Sequence, residues 1–358
     1  MDISEGTVAP KQKNLTEGII LAGIGLVFAS SLPVFLNMYD DVPIPTFGIW
    51  RYFVTCIYCV PISILVWMRN KADIIISEVF SYQTALNILL GSCCFTLGSY
   101  VYITSTHYTI LAHSITLCNS GGLFLIAVNL LVCSKVHKAE IFGAIIVICG
   151  IAVLLQDHSS VKKSRSTDIL KGDLYGLAAM PLYASSYIFN ARACKVLPSM
   201  IVFHCFGFIQ MSIYITYYVV FTDVSWTLLL SRDITYGFFG WLTPEYFVLS
   251  AVIISFFLGI FGVGSYIFLL DYFSPSVVAS LFLLQPFVGQ ILGVLFGQDG
   301  MPGGFAYFGA SIITIGLCLI IKGNTLKDKE DVELEIAQDV EMTDKSLLAN
   351  DPEKDILT

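Results

Sequence analysis

The sequence predicts an all-α polytopic membrane protein, with ten transmembrane helices arranged as two inverted five-helix repeats. Three observations predict it. Hydrophobic residues make up 56% of the 358 positions and charged residues 13%, with a mean hydropathy of +0.78. Soluble domains run about 25% charged, and apolar runs of bilayer-spanning length recur throughout this chain. The chain also repeats itself. At an offset of 166 residues, Gly98-Ser99-Tyr100 falls on Gly264-Ser265-Tyr266, and Phe142-Gly143-Ala144, Ile146 and Gly150 fall on Phe308-Gly309-Ala310, Ile312 and Gly316. Twelve of the sixty-one positions in 95–155 match 261–321, where so apolar a composition gives about four or five by chance. A repeat of this kind sets the fold before any single element does.

The elements follow in order. Residues 1–17 form a polar segment with no charged run leading into a short apolar stretch and cleavage site, so the first span is expected to act as its own insertion signal. The first five-helix repeat covers 18–156, with spans at 18–37, 45–67, 84–104, 108–132 and 139–156. A polar linker at 157–171 separates it from the second repeat, 172–322, with spans at 172–191, 199–221, 246–270, 275–297 and 303–322. Thr222–Glu245 carries Trp226 and Trp241 and is expected to lie partly in the membrane interface as a short amphipathic piece. The tail, 323–358, is acidic and free of aromatics, and from Lys322 onward it holds eleven acids against five bases. Such a composition reads as a disordered, solvated terminus.

Orientation follows from Lys and Arg outside the spans. With both termini cytoplasmic, thirteen such residues fall inside and five outside, the better fit to the positive-inside bias. The basic linker between spans five and six runs against it. Five spans per half is an odd number, so the second half enters the membrane from the opposite side. Inverted repeats of this kind characterise many secondary transporters, with the solute site near the midplane between the halves. A fainter echo joins the starts of the halves: Phe28-Ala29-Ser30-Ser31 beside Tyr183-Ala184-Ser185-Ser186.

With two five-span halves, Trp50-Arg51 in span two and the phrase SPSVVASLFLLQPFVGQILGVLFGQDGMPGGFAYFGASIITIG over spans nine and ten, the chain resembles the drug/metabolite transporter superfamily. The resemblance covers about 18–322, and its closest part is the EamA-like branch, related to nucleotide-sugar and solute-carrier-35-like proteins. It implies ten spans and secondary transport, and it leaves the substrate open. An acid near the turn after span nine is usual there and is present as Asp299, whereas the corresponding place in the first half has Ser134-Lys135.

Polar side chains at the bilayer midplane are costly and point to function. Asn119 lies near the middle of span four, and its repeat mate is Gln285 in span nine. Both sit at helix-weakening sequence, Asn119-Ser120-Gly121-Gly122 and Gln285-Pro286, which frees backbone groups where a cavity can use them. Amides donate and accept, which suits a polar neutral or zwitterionic solute. They also serve as interhelical hydrogen bonds. Gln290 is a further candidate. Pro33 and Pro181 are expected to interrupt spans one and six, making Ser30, Tyr183, Ser185 and Asn190 lining groups. Tyr100 and Tyr266 are expected near opposite mouths, as alternating gates or as members of the interfacial aromatic belt. Arg51 can snorkel, pair with Asp40 or Asp41, or bind an anionic group. His113 can titrate in a proton-coupled cycle or act as a plain hydrogen-bonded histidine.

No Walker motif, catalytic carboxylate pair or nucleophile elbow occurs, so an enzyme is not expected. The cysteines lack the paired spacing of a zinc site, and no metal or cofactor is expected. The expected partners are a small-molecule substrate and the lipid bilayer, with a homodimer as a further candidate and no nucleic acid. The sequence therefore reads as a secondary transporter of a small polar organic solute. The alternatives are an endomembrane nucleotide-sugar transporter and a non-transporting receptor or scaffold on the same fold.

Overall fold

The computed structural model describes residues 15–36, 41–70, 76–109, 111–132, 136–156, 168–297, 301 and 303–349. Among them every regular element is a helix. The long ones in chain order are α1 (Leu15–Leu36), α2 (Ile44–Asn70), α3 (Tyr82–Tyr108), α4 (Leu111–Asn119, resumed as Gly121–Leu131), α5 (Lys138–Leu154), α6 (Ile169–Cys194), α7 (Ser199–Phe221), α8 (Pro244–Asp271), α9 (Pro275–Leu295) and α10 (Gly304–Ala349), with short turns of helix at Ile76–Val79, Trp226–Leu229 and Gly240–Leu242. Eight of them, α1 to α4 and α7 to α10, are long and apolar enough to cross a membrane. α5 has 17 residues, about 25 Å at the helical rise, while α6 carries Lys171, Asp173 and Arg192. Large apolar side chains, among them Leu131, Phe221 and Leu295, stay exposed on the outside of the bundle, a surface that lipid covers and water does not. The chain is a multi-pass membrane protein.

Helix starts follow from local chemistry. Ser81 accepts a hydrogen bond from the Thr84 amide at 3.2 Å to open α3. His137 and Glu140 form a reciprocal capping box at the start of α5, and Asp168 accepts from the Lys171 amide at the start of α6. Each satisfies an amide that the first helical turn leaves without an intrahelical acceptor.

The breaks fall beside the two amides. α4 stops at Asn119 and resumes at Gly121, and α9 passes through a 3-10 turn, Phe282–Leu284, directly before Gln285-Pro286. Pro33 and Pro181, by contrast, do not interrupt their helices, since α1 and α6 run through them. A proline removes one backbone donor, and a helix packed among others tolerates the loss. α8 holds a 16-residue π-helical stretch, Val248–Val263, much longer than the usual single-turn bulge. Within it Ser255 Oγ donates to the Ser250 carbonyl five residues back at 2.6 Å.

Glycines set how closely the helices approach. A Cβ on Gly143 of α5 would stand 2.6 Å from the carbonyl oxygen of Gly316 in α10, and one on Gly316 would stand 2.7 Å from that of Gly143. Gly150 and Gly309 face each other's carbonyls in the same way, at 3.0 and 2.9 Å. α3 lies along α6, where Ser105 Oγ donates to the Gly172 carbonyl at 2.7 Å. α8 lies along α1, with Gly25 of α1 against Ser265. α2 packs on α7, where Gly48 meets the Tyr214 ring, and α4 packs on α9.

The segment between α7 and α8 caps the first turns of α2. Trp50 Nε1 donates to the Gly237 carbonyl at 2.7 Å, Thr46 bonds Tyr218 and the Thr235 carbonyl, and the Phe53 ring meets Phe238 at 4.5 Å. Trp226 is exposed, while Trp241 stacks on Phe247. Where composition reads as a solvated tail, α10 continues to Ala349, because 325–349 is rich in helix formers and contains neither Gly nor Pro. Most of the linker, 157–167, lies outside the described residues.

Candidate functional site

A central cavity of about 50 Å³ lies among α1, α2, α3, α4, α6, α8 and α9. Asn119 and Gln285 form one wall: Asn119 Nδ2 donates to Gln285 Oε1 at 2.8 Å, and the Tyr266 hydroxyl donates to the same oxygen at 3.0 Å. The helix breaks at Ser120 and Phe282–Leu284 bring both amides to this point. Aromatic rings form the second wall. Phe95 meets Tyr183 edge-on at 5.0 Å and Tyr266 at 6.1 Å, Tyr187 lies 5.8 Å from Tyr266, and the Tyr183 hydroxyl donates to Ser99 Oγ at 3.2 Å. The Tyr102 hydroxyl faces this region without a hydrogen-bond partner.

Arg51 closes the third side. It is 6% exposed, its Nη2 donates to the Tyr52 hydroxyl at 3.2 Å, and its guanidinium carbon lies 4.7 Å from the Tyr52 ring centroid. Nε has no partner, and among the described residues no carboxylate lies within ion-pair distance. Asp40, one partner expected for it, falls outside the described residues, and Asp41 is exposed. Arg51 also borders a smaller void lined by Thr55, Cys56, His204 and Gly259. The cavity thus presents amide and phenol hydrogen-bonding groups, ring edges and a single positive charge. It holds a few water molecules at this volume, well under the 300–1,000 Å³ or so of a metabolite pocket.

No protein-family model and no curated protein matches the chain. The fold is similar to that of a solved chain described only as a crystal structure of a protein, with a TM-score of 0.58 and 12% identity. The match covers 85% of this chain and 96% of that one. At that identity the likeness is one of fold alone.

Five of the residues singled out from the sequence line the cavity together: Asn119, Gln285, Tyr183, Tyr266 and Arg51. The others lie elsewhere. Ser30 is buried with its hydroxyl on the Leu26 carbonyl, Ser185 is half-buried, and Asn190 donates to Ser186 Oγ at 3.0 Å beside Gly91. Gln290 is buried in α9 but does not line the cavity. Tyr100 is 43% exposed on the outer face of α3, whereas its repeat mate Tyr266 is buried. His113 is buried outside the lining set, with Nδ1 3.6 Å from Asp173 Oδ1, and Asp173 accepts from Thr109 Oγ1 at 2.6 Å.

Phe95, Ser99, Tyr102 and Tyr187 also line the cavity, and sequence reasoning did not select them for it. Phe95, Ser99 and Tyr102 stand at i, i+4 and i+7 on one face of α3. Two belong to the repeated phrase, so its helical phase carried a signal that choosing the tyrosine of GSY passed over. The described cysteines are free thiols, and no group of three or more metal-ligating side chains occurs among the described residues.

Proposed function

We propose that this chain is a secondary transporter of a small organic solute, built as ten spans in two inverted five-helix repeats and working by alternating access around the cavity. The observation that carries the reading is the meeting of Asn119 with Gln285. They are repeat mates, and a residue touches its own mate only on the axis that relates the two halves. The helix pairings support the same axis. Exchanging α1–α5 with α6–α10 turns the α3–α6 pair into α8–α1, α3–α7 into α8–α2, and α4–α6 into α9–α1, and all of these pairs occur. α2–α7, α4–α9 and α5–α10 map onto themselves. Ring contacts follow suit: Phe95 with Tyr183 at 5.0 Å answers Phe261 with Phe28 at 5.9 Å.

The resemblance to the drug/metabolite transporter superfamily fits this arrangement, with both termini cytoplasmic and His113 beside Asp173 as the proton-coupling candidate. The small volume corresponds to a closed conformer, in which amides and rings meet before a solute parts them. A nucleotide-sugar substrate is less well matched, because Arg51 is the one cation in the lining. The lining is largely apolar, and its buried amides and Arg51 weigh against a non-transporting scaffold, whose interior has no need of them.

The test is uptake by purified protein in liposomes against a panel of metabolites, with and without a pH gradient. Saturable uptake of at least one solute is expected. If nothing moved under any gradient, the scaffold reading would replace this one.

A further inference from the structure

We propose that the transported solute is a small aromatic monoanion, with a carboxylate or similarly charged group bound by Arg51 and a planar body held among the rings of Phe95, Tyr183, Tyr187 and Tyr266. This rests on the transport reading of the same cavity and adds the class of solute to it.

Arg51 carries the inference. An arginine only 6% exposed inside a membrane protein ordinarily has a carboxylate beside it. Here it has a phenol hydroxyl on Nη2, no partner on Nε, and no acid among the described residues within ion-pair reach. Its fork of donors matches a planar oxyanion better than any neutral group.

The sequence echo sets the charge apart from the repeat. The echo that aligns Ser30-Ser31 with Ser185-Ser186, carried into the next helix at the same spacing, sets Phe206 opposite Arg51. Phe206 is buried against Phe95 at 5.0 Å. One half therefore supplies a ring where the other supplies a cation, although both halves must pack equally well.

The number of charges narrows the class. One lining cation neutralises one negative charge, and a diphosphate would bring at least two into a low-dielectric site. The rings, with Tyr183 and Tyr266 edge-on to Phe95 and Tyr187 tilted against Tyr266, suit a flat conjugated body. The amides and the unpartnered Tyr102 hydroxyl can receive a polar substituent.

The experiment uses the full chain and three probes of one shape: 3-phenylpropionate, 3-phenylpropionamide and 3-phenylpropylamine. Binding is read as a rise in melting temperature in detergent, and transport as uptake into proteoliposomes. The carboxylate is expected to bind and to enter about tenfold or more faster than the amide, as a charge-assisted hydrogen bond implies. R51Q should erase that preference while eluting as a monodisperse protein, and R51K should keep part of it.

Entry of the amide or amine at the rate of the carboxylate, or carboxylate uptake unchanged in R51Q, would overturn the inference and leave transport standing. Arg51-dependent binding of the carboxylate with no uptake of any probe would retain the anion site and leave the transport reading to the metabolite panel. No binding and no uptake of any probe would overturn the inference, and uptake of another solute from the panel would leave transport standing.

Discussion

Gln285 Oε1 receives two donors, from Asn119 and from Tyr266, which fills the lone pairs of an amide oxygen. Its amide nitrogen is then the part with capacity for a solute. Q285E would keep both incoming bonds and replace that donor by an acceptor with a negative charge near Arg51. The expected result is a folded protein with lost uptake, read by size-exclusion elution beside the uptake assay. N119A and Q285A should each weaken uptake, and the double variant should be little worse than either. A coupling on the order of 0.6–1.7 kcal/mol is expected if the pair behaves like other polar pairs in membranes; additive losses would mean that it does not act as a unit. At this scale the sequence was legible where polarity is costly. Asn119, Gln285 and Arg51 stand out against apolar helices, whereas Phe95 and Tyr102 look like any core residue until the rotation of α3 is known. Tyr100 and Tyr266 are identical in the repeat yet differ in exposure, since identity in a repeat says nothing of which face of the helix a residue occupies.

α5 and α10 illustrate what controls an element. Their glycines allow backbone-to-backbone approach, so G143L or G316L must push the pair apart. A loss of about 1–3 kcal/mol is expected, as for overpacking a tight core, measured as a lowered midpoint of thermal unfolding in detergent. Gly23, where an added Cβ would meet nothing within 4 Å, is the control, and G23A should leave the midpoint unchanged or slightly raised. Helix positions were largely legible because a bilayer demands long apolar runs, and the prolines show where that logic fails. Pro33 and Pro181 cost one donor each and leave their helices continuous, while the breaks occur at Ser120 and before Gln285. The π-helical stretch of α8 has no counterpart in composition. It depends on a choice between i−4 and i−5 acceptors that side-chain type barely biases.

For the whole molecule, the exterior is as apolar as the packed interior, and a few polar side chains are gathered at the cavity. The all-helical, multi-span character could be read early because composition and span length bear on the molecule at once. The rest of the cavity lining, Phe95, Ser99, Tyr102 and Tyr187 among it, could not, because it depends on how seven helices are rotated against one another. A change of conformer is tested by single-cysteine labelling in a cysteine-free background. Cysteine at Tyr266 should react less when the carboxylate probe is bound, and cysteine at Tyr100, on the exposed face, should react equally in both conditions. Identical behaviour at the two positions would remove Tyr266 from any gating role.

The contact between Asn119 and Gln285 has a thermodynamic consequence. In the proposed cycle, exchanging the roles of the two halves converts the conformer open to one side into the conformer open to the other. The amide contact, taken without the Tyr266 bond that has no counterpart at Tyr100, is carried onto the same two positions by that exchange, so it contributes alike to both conformers and cancels from their equilibrium. Substitutions there should change how fast the protein turns over and how tightly it holds its solute, without favouring one facing direction. Off-axis contacts such as Gly25 with Ser265 have no such cancellation, and it is there that a substitution should trap the protein facing one way.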